Sequence, residues 1–283
     1  MAQNKAEAKL IPLDSEDVDE QELLRLQRVI CGWKEYVVPK MCKEMRSGER
    51  MLFWISLPAS EAAYISADGR QRLGSTEAKE SKDYYLRLPL LKQRDPSKLQ
   101  SPMLDTASAS TFTAADTTTT DDPHRHLPVG HISIDAGDFD VPPSDILFPP
   151  DGKTLMLTTL FVLPCYRKYG LGSWAMLEAE RLIRENIVMI PTSSSSSHKS
   201  TKLRECSTIT LSTLAAKHKY EDSPEGLGMW TRAGIPEAVS NVVYQGPWYA
   251  SMGYRKYHEM PKWQLDKRTG PPVWWAEFWR KEL

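Results

Sequence analysis

A glycine-bearing turn, RKYGLG at residues 167–172, has the residue types and spacing of a site for a phosphate group. It follows an almost unbroken apolar run at residues 156–163, which predicts a buried strand that ends before Pro164. Apolar residues then recur at helical spacing from residue 175 onward, so the turn opens a helix. The first turn of a helix presents backbone N–H groups with no partner inside the helix, and the peptide dipoles add positive potential there. We therefore expect the turn to hold an anion such as a pyrophosphate.

The glycines of this turn distinguish between kinds of nucleotide site. A side chain at Gly170 or Gly172 would keep a pyrophosphate away from the amides, and the turn can require a positive φ. A Walker loop needs a Lys followed by Ser or Thr after its last glycine, whereas Gly172 is followed by Ser173 and Trp174. A dinucleotide fingerprint needs three spaced glycines, and the turn has two. What remains is Arg-x-x-Gly-x-Gly, or an ordinary strand-to-helix turn that binds nothing.

This pattern, preceded by a strand that ends Phe-Val-Leu-Pro, resembles the acyl-CoA-binding motif of the GCN5-related N-acetyltransferase superfamily. The resemblance implies that the strand splays apart from its neighbour and that Phe161, Val162 and Leu163 line the pantetheine arm of acetyl-CoA. It also implies a set of residues that hold the diphosphate: Arg167, Lys168, Tyr169, Gly170, Leu171 and Gly172. Acetyl-CoA is therefore the expected co-substrate.

A second segment, WYASMGY at residues 248–254, is similar to the other signature of this superfamily, an aromatic-Tyr pair followed by Gly and an aromatic residue. The resemblance places Tyr249 on a helix that faces the thioester sulfur. When an amine attacks the acetyl carbonyl, CoA leaves as a thiolate, and a nearby phenol can protonate it as a general acid. Tyr249 is therefore the predicted catalytic residue, and a core aromatic with its hydroxyl at the surface is the alternative.

The order of predicted elements agrees with the fold of the superfamily. We expect an α+β chain, one domain over residues 1–283, with a mixed, mostly antiparallel sheet of about seven strands and helices on both faces. Helices are predicted from a cap at Asp14 or Ser15 to about residue 29, at residues 36–45, after the glycine turn, and from Gly246. Strands are predicted at residues 9–13, 50–57, 129–136, 156–163, 207–214, 254–257 and 273–279.

Three segments depart from the minimal pattern of the superfamily. Residues 98–128 are rich in Ser, Thr and Asp, and this composition buries too little apolar surface to offset the entropy of ordering, so we expect a disordered insertion. Residues 191–204 contain a serine run and are expected to form a flexible loop. Residues 215–246 contain Trp230 and two prolines and are expected to form an ordered insertion.

Composition excludes several classes of function. The 283 residues have a net charge of −1 with both signs interspersed, which argues against a nucleic-acid partner. No run of ~18 apolar residues exists and the start MAQNKAEAK is polar, so no membrane span or signal peptide is expected. The four cysteines have no metal spacing, which indicates reduced thiols and no metal site. We expect a cytoplasmic protein, with the nucleus as an alternative.

A general base is not evident from the sequence. The face of the motif strand that would carry one has Met156 and Thr158, and neither is a base. His131 and Asp135 on the neighbouring strand are the nearest titratable residues, and either could instead be a polar position on a half-exposed strand. Three further candidates lie in the later insertion, namely His218, Glu221 and Asp222.

The motifs together predict an N-acetyltransferase that moves acetyl from acetyl-CoA directly to a primary amine. The acceptor, a small molecule or a peptide, is not identified by any motif. The alternative is a non-catalytic acyl-CoA-binding module with a regulatory or scaffolding role. The missing base on the motif strand favours that alternative, and the retained Tyr249 favours the enzyme.

Overall fold

The computed structural model describes residues 8–31, 35–58, 62, 126–136, 153–185, 206–216, 244–264 and 273–283. The described helices are α1 (Val18–Ile30), α2 (Val38–Ser47), α3 (Leu171–Arg184) and α4 (Gly246–Ser251). The described strands are β1 (Lys9–Pro12), β2 (Arg50–Pro58), β3 (His126–Asp135), β4 (Thr154–Val162), β5 (Thr208–Leu214), β6 (Arg255–Gln264) and β7 (Val273–Glu282). None of the helices in these ranges is both long and apolar enough to cross a membrane.

The seven strands form one sheet in the order β1-β2-β3-β4-β5-β7-β6. β4 and β5 are parallel, whereas β1 with β2, β5 with β7, and β6 with β7 are antiparallel. The prediction of a mixed, mostly antiparallel sheet of about seven strands is therefore confirmed. The predicted pairings of the motif strand with β3 and with β5, and of the last two strands with each other, are confirmed as well.

The chain divides into two compact units. The first comprises residues 1–134 and 159–203, and its described core includes Trp54, Ile132 and Leu182. The second comprises residues 135–158 and 204–283, and its core includes Met156, Ile209 and Phe278. The predicted single domain over residues 1–283 stays a prediction.

Several predicted boundaries need correction. The cap of α1 is Asp17, whose carboxylate accepts from the amides of Asp19 and Glu20, and not Asp14 or Ser15. A 3₁₀ turn, Glu35–Val37, precedes α2, and Gly48 ends that helix in the left-handed region at φ 77°.

The boundary of the first insertion and the exposure of β3 were also predicted wrongly. β3 begins at His126, so residues 126–128 belong to the sheet and not to the insertion predicted at 98–128. β3 is buried on both faces, since only one of its ten residues is not fully buried. The predicted half-exposed strand is wrong because alternation in VGHISIDA reflects buried polar side chains, which the sequence pattern does not distinguish from solvated ones. The rest of the insertion at 98–125, the loop at 191–204 and residues 217–243 lie outside the described residues.

Candidate functional site

The last residues of β4 continue beyond the pairing of this strand with β5. The register of the two strands runs from Thr154↔Thr208 to Leu157↔Leu211, and β4 then extends to Val162. Thr159 has a φ of 50°, an uncommon value for a β-branched residue. This irregular residue lies two positions after the last paired residue, Leu157, as at a bulge that redirects a strand. Residues 159–162 are therefore a strand end without a paired register on the β5 side.

The other edge of this strand end is held by β3. The amide of Leu163 donates to the carbonyl of Val129 at 2.9 Å, and both residues are buried. A Cβ added to Gly130 would lie 2.2 Å from the carbonyl oxygen of Phe161, so only glycine fits at this point of β3. Neighbouring residues of a strand direct their N–H and C=O groups to opposite edges. The backbone of Leu163 is thus used within the sheet, and Val162 presents its backbone to the opposite edge.

The glycine turn has the backbone geometry that was predicted for it. A 3₁₀ turn, Pro164–Tyr166, follows β4, and Gly170 caps α3 in the left-handed region at φ 76°. The cap residue, Gly170, has no side chain to bond the amides of this helix start, and a Cβ built on it would meet no atom of the described residues within 4 Å. Lys168 also has a positive φ, 72°, which the sequence did not indicate. The turn is therefore exposed, with its helix start open in front of Gly170.

Arg167 is tied to the end of β4. Its Nε donates to the carbonyl of Val162 at 3.0 Å, and its guanidinium lies 5.6 Å from the centre of the Phe161 ring. Both Arg167 and Lys168 are exposed. The two cations predicted at the mouth of the turn are thus on the surface, and one of them is already oriented by the strand end.

Tyr249 lies in α4, which begins at Gly246 with Pro247 in its first turn, as predicted. Its amide donates to Gln245, and its carbonyl accepts from Tyr254 at 3.1 Å. The helix ends at Ser251 with Met252 as its C-cap, and Gly253 has a φ of 90°. The Gly-aromatic step therefore ends the helix and starts β6, as the second signature predicts.

The Tyr249 ring lies among other aromatic rings. Its centre is 4.8 Å from that of Trp248, 6.2 Å from that of Tyr254 and 6.5 Å from that of Trp279. Within the part of the chain that the structure describes, the Tyr249 hydroxyl makes no hydrogen bond. Burial raises the pKa of this phenol to about 12, so it stays protonated across the physiological range.

His131 is a structural residue of the first unit. Its ring is fully buried, and its Nδ1 lies 2.8 Å from Gln27 Oε1. Gln27 Nε2 donates to the carbonyl of Pro128, so Gln27 Oε1 is the atom that faces the imidazole. Because this oxygen can only accept a hydrogen bond, the imidazole proton is on Nδ1. Burial, with Arg28 adding repulsion, lowers the pKa of His131 to about 3. A neutral, buried imidazole of this kind is a poor candidate for the base.

Asp135 is the remaining titratable candidate among the described residues, since His218, Glu221 and Asp222 lie outside them. Asp135 is 1% exposed, and its Oδ2 accepts from the hydroxyl of Thr158 at 2.6 Å. Thr158 is half-buried and is the first residue of β4 beyond the paired register with β5. The pair is not evident from the sequence, because the register of β3 against β4 decides which side chains meet.

The described residues contain no group of three or more His, Cys, Asp and Glu side chains that could hold a metal ion. The four cysteines are free thiols, and Cys165, next to the turn, is buried. Buried thiols are poor nucleophiles.

Comparisons with known proteins give matches at the level of structure alone. No family model and no curated protein sequence matches the chain. An aminoglycoside 6'-N-acetyltransferase complexed with coenzyme A is similar over 97% of this chain and 96% of its own, with 11% identity and a TM-score of 0.40. The Arabidopsis thaliana protein NAA60 in complex with acetyl-CoA is similar over 98% of both chains, with 9% identity and a TM-score of 0.40. A likeness at this level says nothing about individual residues.

The fold is defined by the arrangement of the strands in the sheet. The strand before the glycine turn runs parallel to the next strand, and the pairs β1–β2, β5–β7 and β6–β7 of the same sheet are antiparallel. The chain thus has the mixed seven-stranded α+β fold that the resemblance to the GCN5-related N-acetyltransferases predicts.

Proposed function

We propose that this chain is a GCN5-related N-acetyltransferase that transfers acetyl from acetyl-CoA directly to a primary amine. One observation carries the proposal: β4 outruns its pairing with β5 and leads into an open, glycine-capped helix start. A strand end without a paired register offers backbone groups to an extended arm, and the helix start offers amides to a diphosphate. Both signatures of the superfamily occur in the expected order along the chain.

In this proposal the pantetheine arm lies along the free edge of the β4 end. Val162 provides its backbone N–H at that edge, since its carbonyl accepts from Arg167, while Phe161 and Leu163 support the strand end from within the sheet. The diphosphate lies against the amides of residues 168–172, with the guanidinium of Arg167 beside it. The positive φ of Gly170 shapes this turn, and the open space in front of Gly170 leaves room for phosphate oxygens.

The reaction forms a C–N bond and breaks a C–S bond. The amine nitrogen attacks the acetyl carbonyl, the electron pair of the broken bond goes to sulfur, and the amine proton is lost. The proposed role of Tyr249 is to donate its hydroxyl proton toward the departing sulfur. Its pKa of about 12 lies above that of an ordinary thiol, near 8.5, so full transfer to a solvated thiolate is uphill. The phenol therefore acts mainly by a hydrogen bond that strengthens as charge develops on sulfur.

The proposed base is Asp135, acting through Thr158. The Thr158 hydroxyl donates to the carboxylate and has two lone pairs, so it can accept a proton from the ammonium form of the acceptor before the nitrogen attacks. As the hydroxyl oxygen takes that proton, its own proton passes along the existing hydrogen bond to Asp135, which leaves a neutral amine and a protonated carboxyl. This pair supplies the base that no single residue of the motif strand supplies.

The proposal is tested by incubating the protein with acetyl-CoA and a panel of polyamines, amino acids, aminoglycosides and peptides with free amino termini. Free thiol and the mass of the acetylated amine are measured together. Equal amounts of thiol and acetylated amine, with at least one acceptor, are expected. Binding of acetyl-CoA without either product would favour the alternative, a non-catalytic acyl-CoA-binding module.

A further inference from the structure

Glu277 of β7 is a buried carboxylate with three donors. It is 1% exposed. Its Oε2 accepts from the Tyr244 hydroxyl at 2.6 Å, and its Oε1 accepts from Lys256 Nζ at 2.8 Å and from the amide of Ala216 at 3.3 Å. A buried charge is tolerated only when it is paired and hydrogen-bonded in this way. The carboxylate therefore joins β6, β7 and the segment that leads into α4.

The side chain of Tyr244 packs over Gly246, the first residue of α4. A Cβ added to Gly246 would be 2.2 Å from the Tyr244 hydroxyl oxygen and 2.9 Å from Cζ2 of Trp279. Both rings thus occupy the space that a side chain at Gly246 would take. The phenol reaches Glu277 only because this helix starts with glycine.

Trp279 provides a second contact between β7 and the same helix. Side chains two positions apart on a strand share a face, so Trp279 and Glu277 lie on one face of β7. The Trp279 ring is 6.5 Å from that of Tyr249. The start of α4 is thus fixed by a hydrogen bond, and its Tyr249 end by ring packing.

We propose that Glu277 is a positioning residue, which holds α4 through the Tyr244 hydroxyl and thereby fixes the hydroxyl of Tyr249. The inference rests on the role proposed above for Tyr249. It requires no contact between Glu277 and the substrate, because the carboxylate is saturated by its own donors. Small displacements of a catalytic group lower the rate more than they lower binding.

The test variant is Tyr244→Phe, which removes the hydroxyl and keeps the ring over Gly246. The hydrogen bond to a buried carboxylate is worth more than a neutral one, so exchange of the α4 amides of Tyr249 and Met252 should become about tenfold faster or more. With an acceptor from the amine panel, kcat should fall about tenfold while the Kd for acetyl-CoA stays within twofold. The matched control is Tyr36→Phe, because Tyr36 is 72% exposed; it should change neither quantity.

Two further variants separate positioning from a general structural role. In a Tyr249→Phe background, Tyr244→Phe should lower kcat no further, since the hydroxyl being positioned is absent. Glu277→Gln should reproduce the effect of Tyr244→Phe, and the two together should not add.

Wild-type exchange and kcat in Tyr244→Phe, or an equal loss of kcat in both backgrounds, would overturn the inference. If Tyr249→Phe alone retains wild-type kcat, the proposed role of Tyr249 fails instead, while the exchange result still reports on the anchor.

Discussion

The glycine turn and the Tyr249 helix are built in opposite ways. In the turn Arg167, Lys168 and Gly170 are exposed, Gly170 has no side chain to cap the helix, and no atom of the described residues lies within 4 Å of a Cβ built on it. Tyr249 is half-buried beside three aromatic rings, and burial raises the pKa of its phenol to about 12. An amide cradle must be free to receive a solvated diphosphate. A group that acts on developing charge works best where water is excluded.

Binding and chemistry therefore place separate demands on the sequence. The turn needs a cap residue in the left-handed region before an open helix start, which Gly170 at φ 76° provides. The tyrosine needs a desolvated and fixed position, which packing against Trp248, Tyr254 and Trp279 provides. Variants in the two regions should therefore affect different kinetic quantities.

Tyr249→Phe should have the largest effect. The ring contacts remain, so folding is preserved, while the hydrogen bond to the departing sulfur is lost. Loss of such a donor typically costs about 10²–10⁴ in rate and appears in kcat with little change in ground-state binding. Turnover at saturating acetyl-CoA, with calorimetric Kd as the companion measurement, checks this expectation. A folded variant with wild-type kcat would refute the role of Tyr249.

Asp135→Asn and Thr158→Val test the proposed base, whose two residues lie in the second unit. Each removes one half of the proposed relay, and each should lower kcat/KM roughly 10²-fold at neutral pH. The loss should shrink as pH rises, because more of the amine is then already deprotonated. A pH profile parallel to that of the wild type would show that the pair has a structural role and is not the base. An amine that reaches the site already neutral needs no base.

Gly170→Glu tests the turn. The side chain would enter the open space proposed for the diphosphate, add like charge and strain a residue at φ 76°. Calorimetry should show acetyl-CoA affinity at least about tenfold lower. Gly48→Glu is the matched control, because Gly48 has a φ of 77° at the end of α2 and has no proposed contact with acetyl-CoA. Equal affinities in the two variants would mean that the turn does not bind the diphosphate.

Protonation of His131, which is buried against the end of β4, should give a smaller effect, and this effect is on stability. The His131 ring lies 5.6 Å from that of Phe161, and its pKa is lowered from 6.5 to about 3 by burial. The folded state therefore favours the neutral imidazole. The free energy of unfolding keeps its full value above pH 6.5 and decreases as pH falls from 6.5 toward 3. The free energy of unfolding should decrease by about 1.4 kcal/mol per pH unit in this window from His131 alone.

Denaturant unfolding at several pH values checks this, with His131→Asn as the comparison, because Asn gains no proton. The variant should show a shallower decrease in stability below pH 6.5. Identical slopes in the two proteins would show that His131 does not titrate on unfolding.

Much of the fold could be predicted from local patterns. β4, β5 and α3 follow from apolar runs and helical spacing, and the conformation of Gly170 follows from its place before a helix. Polar residues of β3 could not be assigned, because period-two alternation does not tell a solvated side chain from one hydrogen-bonded inside the protein. His131 was such a case.

The candidate site could be predicted where it depends on the chain near a motif. Pairs such as Thr158 with Asp135, or Tyr244 with Glu277, are fixed by strand register and by contacts between distant segments. Gly130 carried a local signal, since a glycine inside a strand pattern often marks a close approach of another backbone. The positive φ of Thr159 had no such signal in its residue type.

The separation of binding from chemistry is tested most directly by comparing Gly170→Glu with Tyr249→Phe at rising acetyl-CoA concentration, with one amine identified from the panel. We expect Gly170→Glu to approach the wild-type rate at saturation, with the KM for acetyl-CoA raised. We expect Tyr249→Phe to remain about 10²–10⁴ slower at every concentration, with KM for acetyl-CoA nearly unchanged. If saturation restores Tyr249→Phe, or fails to restore Gly170→Glu, the division of roles between the turn and the tyrosine is contradicted.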